Sequence, residues 1–319
     1  MEGNLIETEV TDLSPAGEGI RIVTLSAVTS RPLPRYSPGA HITLHLRDGD
    51  LVRRNSYTLI GPAEAAHQYR IAVQLQNAGR GGSRFIHERL AVGERVAVAH
   101  PLNLFSLHRL ASRHIFVAGG IGITPFMTLI PEAIRQNKPF ELHYAFRRKE
   151  AAAFATDLKE RYAGRTRTYE GARGQRIDLI RLMEGQPAGT HIYVCGPSSL
   201  VDAASHIVAE GVWPRSRFHF ERFKANFSGP AFSARLRSTG ETISVGNEQS
   251  LLDCLEDAGH RLPYMCRTGF CGRCKMGVEA TGGKIVHNDQ VMDEEERNTG
   301  RCIIPCVSRF EGAELILEL

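Results

Sequence analysis

No stretch of the 319-residue sequence is apolar over enough residues to cross a bilayer, and the opening Met1 to Thr8 has neither a basic region nor an apolar core. The expectation is a cytoplasmic protein without membrane contact. Long basic runs and interleaved aromatic platforms are also missing. Net charge is only +4 with Lys and Arg scattered, so nucleic acid is not an expected partner. Low-complexity segments and internal repeats are absent, and 42% hydrophobic with 23% charged residues is the composition of a globular chain of two or three domains. Cysteine occurs seven times, an odd number that argues against a disulfide framework and for a reducing compartment.

Four of those cysteines carry a pattern. Cys266, Cys271 and Cys274 form C-x4-C-x2-C and Cys306 follows downstream, which is the plant-type ligand spacing of a 2Fe-2S cluster. Structural zinc favours two close pairs of ligands, whereas three cysteines on one loop with a distant fourth suit a cluster. Gly269 and Gly272 lie between the ligands, where the lack of a Cβ lets the backbone curl and aim N–H groups at sulfur. Cys302 competes with Cys306 for the fourth position, but its simpler reading is a partly buried small hydrophobe. Cys254 falls in a helix opened by a capping box at Ser250 and closed near Gly259, which makes it a core residue.

The chain has three kinds of pattern. Up to about residue 105, short alternating segments such as Ala40 to Leu46, Ser56 to Ile60 and Tyr69 to Leu75 predict an antiparallel β-barrel. From His114, apolar strands (Ile115 to Ala118, Glu141 to Phe146, His191 to Val194) alternate with glycine turns and helices, which predicts an α/β domain with a parallel sheet. After Phe223 a short Gly/Pro-containing stretch marks a linker before the cysteine-bearing domain. The expected division is a barrel over 1–105, a nucleotide domain over 106–224, a linker over 225–232 and a ferredoxin domain over 233–319.

Two turns suit a dinucleotide. Ile115 to Ala118 runs into Gly119, Gly120 and Gly122, with Thr124 expected as a helix N-cap and Pro125 in the first helical turn. Bare backbone there admits a pyrophosphate. A second buried strand ends at Cys195, Gly196 and Pro197 before a helix through Leu200 to Val208, so both strand ends can face one crevice.

A nicotinamide gives up two electrons at once and a 2Fe-2S centre takes one, so a chain with both needs a converter, and flavin is the obvious one. The barrel offers Arg53, Arg54, Tyr57 and Thr58 along one strand, and Gly79 to Ser83 with Gly81 and Gly82 before an amphipathic stretch. These read either as two half-sites for one phosphate or, more plainly, as a solvated edge-strand charge at Arg54, a core ring at Tyr57 and a glycine hairpin.

Taken in order, Arg54–Thr58, Gly81–Ser83, Gly119–Pro125, Val194–Pro197, Glu221–Phe223 and the cysteine set resemble the phthalate dioxygenase reductase and vanillate O-demethylase reductase family, within the ferredoxin-NADP reductase superfamily. The resemblance covers essentially the whole chain. It implies a multidomain protein with an antiparallel flavin barrel, an α/β nucleotide domain and an α+β, β-grasp-like ferredoxin domain, using FMN, NADH and a 2Fe-2S cluster. By the same resemblance Arg54 and Ser83 hold the FMN phosphate, Tyr57, Thr58 and Val73 line the isoalloxazine, and Phe223 covers its other face. Gly120, Thr124, Cys195 and Gly196 position NADH for hydride transfer to the flavin. Thr58, Cys195 and Phe223 form the implied catalytic set, and the iron ligands are Cys266, Cys271, Cys274 and Cys306.

Two residues separate Arg54 from Tyr57, where many superfamily members have one, so either Arg53 or Arg54 can be the phosphate ligand. The chain has no Rieske C-x-H pair and no evident mononuclear iron site, so a partner must do the oxygenation. The resemblance implies a terminal oxygenase, of Rieske type first, with a haem-thiolate or diiron partner, or a non-enzymatic redox-sensing iron-sulfur module, as alternatives. Arg267, Arg273 and the acids Asp289 and Asp293 to Glu296 are candidates for docking, although Asp293 to Glu296 read more simply as the first turn of a short helix. Arg147, Arg148 and Lys149 follow the strand ending at Phe146 and bear on the choice between NADH and NADPH.

Overall fold

The computed structural model describes residues 5–49, 51–62, 67–76, 81–223 and 229–319. Residues 225–228 of the expected linker, and Gly79 and Arg80 of the glycine-rich stretch, lie outside the described residues. The chain divides into two compact units, one ending at Arg222 and one running from Phe223 to Leu319.

The first unit opens with β1 (Ile6–Gly17), β2 (Ile20–Ala27), β3 (His41–Asp48), β4 (Leu51–Thr58), β5 (Gln68–Gln74), α1 (Gly82–Glu88) and β6 (Arg95–Val98). These strands form an antiparallel sheet in the order β4-β3-β6-β1-β2-β5. Its two edges meet through a bridge between Leu59 and Ile71, and Ile60 N–H donates to Arg70 O at 2.8 Å, so the sheet closes into the expected barrel. Alternation does the packing: Ile42, Leu44 and Leu46 of β3 and Tyr69, Ile71 and Val73 of β5 point inward, with Ile86 of α1 in the same core.

The same unit continues with β7 (Arg113–Gly119), α2 (Phe126–Arg135), β8 (Phe140–Phe146), α3 (Ala155–Arg161), β9 (Thr166–Glu170), α4 (Leu179–Met183), β10 (Thr190–Cys195), α5 (Ser198–Ala209) and β11 (Phe218–Glu221). All pairings are parallel, in the order β11-β10-β7-β8-β9. Phe116, Tyr144 and Tyr193 pack against α2 and α3 on one face, and Ile115, Val117, Ile192 and Val194 pack against α4 and α5 on the other. Strand order reverses between β7 and β10, which opens a crevice at their carboxyl ends, the place where such sheets bind ligands. Ile20, Ile22, Ile60 and Ala72 of the barrel pack with Ala153 and Ile121, which sets this crevice beside the barrel.

One local expectation fails. A 3-10 turn over Gly120–Ile123 precedes α2, Pro125 takes the N-cap position, and Thr124 already has helical backbone angles. Its hydroxyl therefore donates backward to Ile121 O at 3.0 Å rather than capping the helix.

The second unit contains β12 (Phe232–Leu236), β13 (Thr242–Val245), α6 (Leu251–Asp257), β14 (Met276–Val286), α7 (Glu294–Thr299), β15 (Cys302–Ile303) and β16 (Arg309–Leu317). The sheet is mixed, ordered β13-β12-β16-β14-β15, with β12 parallel to β16 and the other pairs antiparallel. Ser250 caps α6 by accepting from Asp253 N–H at 3.1 Å, and Leu251, Leu252, Cys254 and Leu255 turn into the core, as the capping-box reading expects. This α+β arrangement is of the β-grasp kind.

Candidate functional site

The cysteine loop lies between α6 and β14, and its shape comes from three left-handed residues: Arg267 at φ 55°, Gly269 at φ 79° and Gly272 at φ 67°. That curl brings the N–H groups of Thr268 and Cys271 to 3.4 Å from Cys266 Sγ. Cys274 Sγ and Cys306 Sγ lie 3.5 Å apart. Among the described residues no three His, Cys, Asp or Glu side chains close on a single ion; the thiols stand instead as two pairs, Cys266 with Cys271 and Cys274 with Cys306. The Cys266 thiol is held below its ordinary range by the hydrogen bond from Cys271, then by donors on Thr268, against the opposing effect of burial. Cys274 is lowered by its bond with Cys306. Paired sulfurs with N–H donors aimed at them fit a cluster of two irons, each held by two thiolates. Cys302 lies in β15, partly buried against the core of its unit.

Sequence reasoning misplaced two charges here. Arg267 is only 5% exposed, paired with Asp253 Oδ1 at 2.7 Å and with Glu256, and stacked 4.0 Å over the Tyr264 ring. It is an internal anchor for the loop, not a docking charge, because α6 presents both carboxylates one turn apart. Asp289 is 1% exposed and accepts from the N–H groups of Val291 and Met292, so it too leaves the docking surface. Glu294, Glu295 and Glu296 form the first turn of α7 behind the Asp293 cap, their simpler reading.

In the crevice, the two glycine turns abut. A Cβ on Gly122 would lie 2.5 Å from the Cys195 carbonyl carbon and 2.7 Å from Gly196 Cα, and one on Gly119 would lie 2.6 Å from Pro197 Cδ. Gly120, at φ 54°, meets nothing within 4 Å on its side-chain side. The turns thus leave backbone, not side chain, facing the opening, a surface that fits a pyrophosphate. Cys195 is fully buried and burial pushes its thiol well up, followed by the influence of Glu221. It remains protonated and contributes shape, not a nucleophile.

Glu221, which enters the sequence reading only within the Glu221–Phe223 segment and with no role there, ends β11 beside Cys195. Burial pushes its carboxyl up to about 8, and its Oε2 has no hydrogen-bond partner among the described residues. Nothing in the residue type signals this; only the parallel register does. Of the three cations after β8, Arg148 pairs with Glu18 at 2.7 Å.

On the barrel, β4 pairs with β3 in unbroken register, Tyr57 opposite Ile42, Asn55 opposite Leu44 and Arg53 opposite Leu46. These three side chains share one face and Arg54 lies on the other. Thr58 is buried at the strand end opposite His41. Val73 points into the barrel with Tyr69 and Ile71, so its side chain lines the core rather than an open face, while its carbonyl O lies 2.9 Å from His87 Nε2. Ser83 Oγ accepts from Gln76 N–H at 3.1 Å. Phe223 opens the second unit and is 41% exposed.

Comparison with known proteins decides the family. Residues 101–217 match the model of the dimethylamine monooxygenase subunit DmmA-like N-terminal domain, and residues 235–311 match the 2Fe-2S iron-sulfur cluster binding domain. The chain is 36% identical to vanillate O-demethylase oxidoreductase of a Pseudomonas species over 90% of its length and 91% of that protein. Its structure matches phthalate dioxygenase reductase with a TM-score of 0.80 at 30% identity, covering 99% of this chain and 98% of that one. The chain belongs to the phthalate dioxygenase reductase family. Like its family, it is an oxidoreductase, the reductase subunit of an oxygenase system, with FMN and a 2Fe-2S cluster as cofactors and NADH as donor. The family extends further: the haem-dependent oxidative N-demethylase beta subunit of Ectopseudomonas mendocina is 39% identical over 99% of both chains. An intact type IV self-sufficient cytochrome P450 monooxygenase matches with a TM-score of 0.74 at 33% identity, and this chain spans 41% of its length. No helix among the described residues is long and apolar enough to cross a membrane.

Proposed function

We propose that this chain takes electrons from NADH and hands them singly to a separate terminal oxygenase of Rieske type, with 1–105, 106–224 and 233–319 as its flavin, nucleotide and ferredoxin domains. The observation that carries the reading is one polypeptide combining a bare-backbone crevice beside a barrel with two pairs of thiols under N–H donors. When bound, FMN and the cluster supply the conversion of a two-electron hydride into single electrons. The chain's own part is positioning. Gly119, Gly120, Gly122 and Gly196 give the dinucleotide a surface without side chains, while Thr124, Pro125 and Pro197 hold those turns. Thr58 and Tyr57 present a hydroxyl and a ring at the flavin strand. Cys266 with Cys271, and Cys274 with Cys306, each hold one iron.

A haem-dependent partner that demethylates an amine is a second reading, supported by the 39% identity to the N-demethylase beta subunit and the DmmA-like match over 101–217. Mixing the reduced protein with a Rieske oxygenase and, separately, with a haem N-demethylase under NADH distinguishes them. Substrate-dependent oxygen uptake with the Rieske component alone supports the first reading, and uptake with the haem component alone replaces it. A preparation without flavin or iron, unable to reduce ferricyanide with NADH, ends both in favour of a redox-sensing or structural module.

A further inference from the structure

We propose that the FMN phosphate is held by Arg53 and Asn55, and that Arg54 has no part in binding it. The assignment rests on the FMN reading above and concerns which side chains of β4 serve it. A dianionic phosphate on a barrel strand needs a cation and a neutral donor on the same face as the ring-binding tyrosine. Period-two alternation decides that face. Tyr57, Asn55 and Arg53 stand opposite Ile42, Leu44 and Leu46 in continuous register, and Arg54, opposite His45, projects to the other side.

The second half of the site comes from the glycine turn. Gly81 adopts φ 76°, and a Cβ there would lie 2.6 Å from Arg53 Nη1; a Cβ on Gly82 would collide with the Asn55 amide oxygen. The turn therefore passes directly over these two side chains. Asn55 Oδ1, beside the turn, and Arg54 Nε, on the opposite face of β4, are each buried with no hydrogen-bond partner among the described residues, so the facing geometry and not burial separates them. A buried amide oxygen without a partner is costly in a folded protein. An Asn55 side chain turned with Nδ2 outward donates to a phosphate oxygen. Asp48 holds the Arg53 guanidinium in place, accepting from Nη2 at 2.8 Å and Nε at 3.1 Å, and pairs also with Arg89. The spacing that departs from the family's Arg-x-Tyr pattern is thereby resolved in space: the position two before Tyr57 carries an amide, and the positive charge comes from four before it.

Comparing FMN with riboflavin, which lacks the phosphate, isolates the contact. Affinities are read from quenching of flavin fluorescence on adding flavin to the deflavinated full-length chain. Arg53→Gln is expected to weaken FMN about tenfold or more, the value of a charge-assisted hydrogen bond, and to leave riboflavin unchanged. Asn55→Asp is expected to weaken FMN selectively through repulsion, and Arg54→Gln to leave both flavins unchanged. Equal loss of FMN and riboflavin in Arg53→Gln overturns the proposal, because it marks a structural role. Selective loss of FMN in Arg54→Gln overturns it in favour of the other arginine. If Arg53→Gln does not fold, the Asn55→Asp and Arg54→Gln pair decides by the same criteria. A wild-type chain that binds no FMN sinks the underlying functional reading as well, so the two failures are distinct.

Discussion

Cys306 holds its sulfur 3.5 Å from that of Cys274, while Cys302 sits in the two-residue strand β15. Replacing Cys306 with Ser is expected to abolish the visible spectrum of the cluster, and Cys302→Ser to keep it; the reverse pattern transfers the ligand role to Cys302. Glu221 offers a test by titration. Burial raises its carboxyl from 4.5 to about 8, so the folded chain keeps a proton that the unfolded chain releases. The stability tied to the neutral form is complete below pH 4.5 and is lost as pH rises through about 8. Glu221→Gln should therefore gain in Tm relative to wild type as pH rises across that window, and a difference in Tm that stays constant with pH refutes the buried neutral carboxyl. The cysteine spacing was legible because ligand sets recur at short range. The state of Glu221 was not, because its environment is made by Cys195 on a neighbouring strand.

Among the elements, the strand-to-helix turn after β7 is the most demanding. Gly122→Ala would place a methyl against the Cys195 carbonyl and Gly196. The cost expected from such overpacking is about 1–3 kcal/mol, together with a raised KM for NADH, measured by thermal unfolding and steady-state kinetics. Gly120→Ala meets open space but keeps φ 54°, so only the backbone penalty of about 1 kcal/mol applies. Similar losses in the two variants would show that the turns do not abut as described. Strand periodicity located β3, β5, β7, β8 and β10 to within a residue or two, because one buried face writes itself into the alternation. The expected Thr124 cap was wrong because an N-cap depends on where the preceding 3-10 turn begins, which Gly120 determines through its backbone angles.

In the larger unit, a group of imidazoles gathers at the start of the parallel sheet. His191 Nδ1 and His219 Nε2 are 2.8 Å apart, His108 stacks on His191, and His114 is fully buried. Burial, then neighbouring imidazoles, lowers His114, His191 and His219 to about 4 each. All three are neutral in the folded chain at pH 7, and the unfolded chain takes up protons first as pH falls below 6.5. Stability should fall between pH 6.5 and about 4, and His219→Gln should flatten that slope in acid unfolding followed by circular dichroism. An unchanged slope would remove these imidazoles from the acid response. The three kinds of pattern along the chain, the cysteine loop and the glycine turns were determined by sequence alone, because each is a local demand on spacing, apolar period or backbone freedom. Only the tertiary structure decided that Arg267 is an internal anchor, that Arg53 and Asn55 face the Gly81 turn, and that the half-buried Glu221 turns an enclosed carboxyl oxygen in beside Cys195. Each depends on what a distant segment places opposite the side chain, and charge type by itself carries no record of that neighbour.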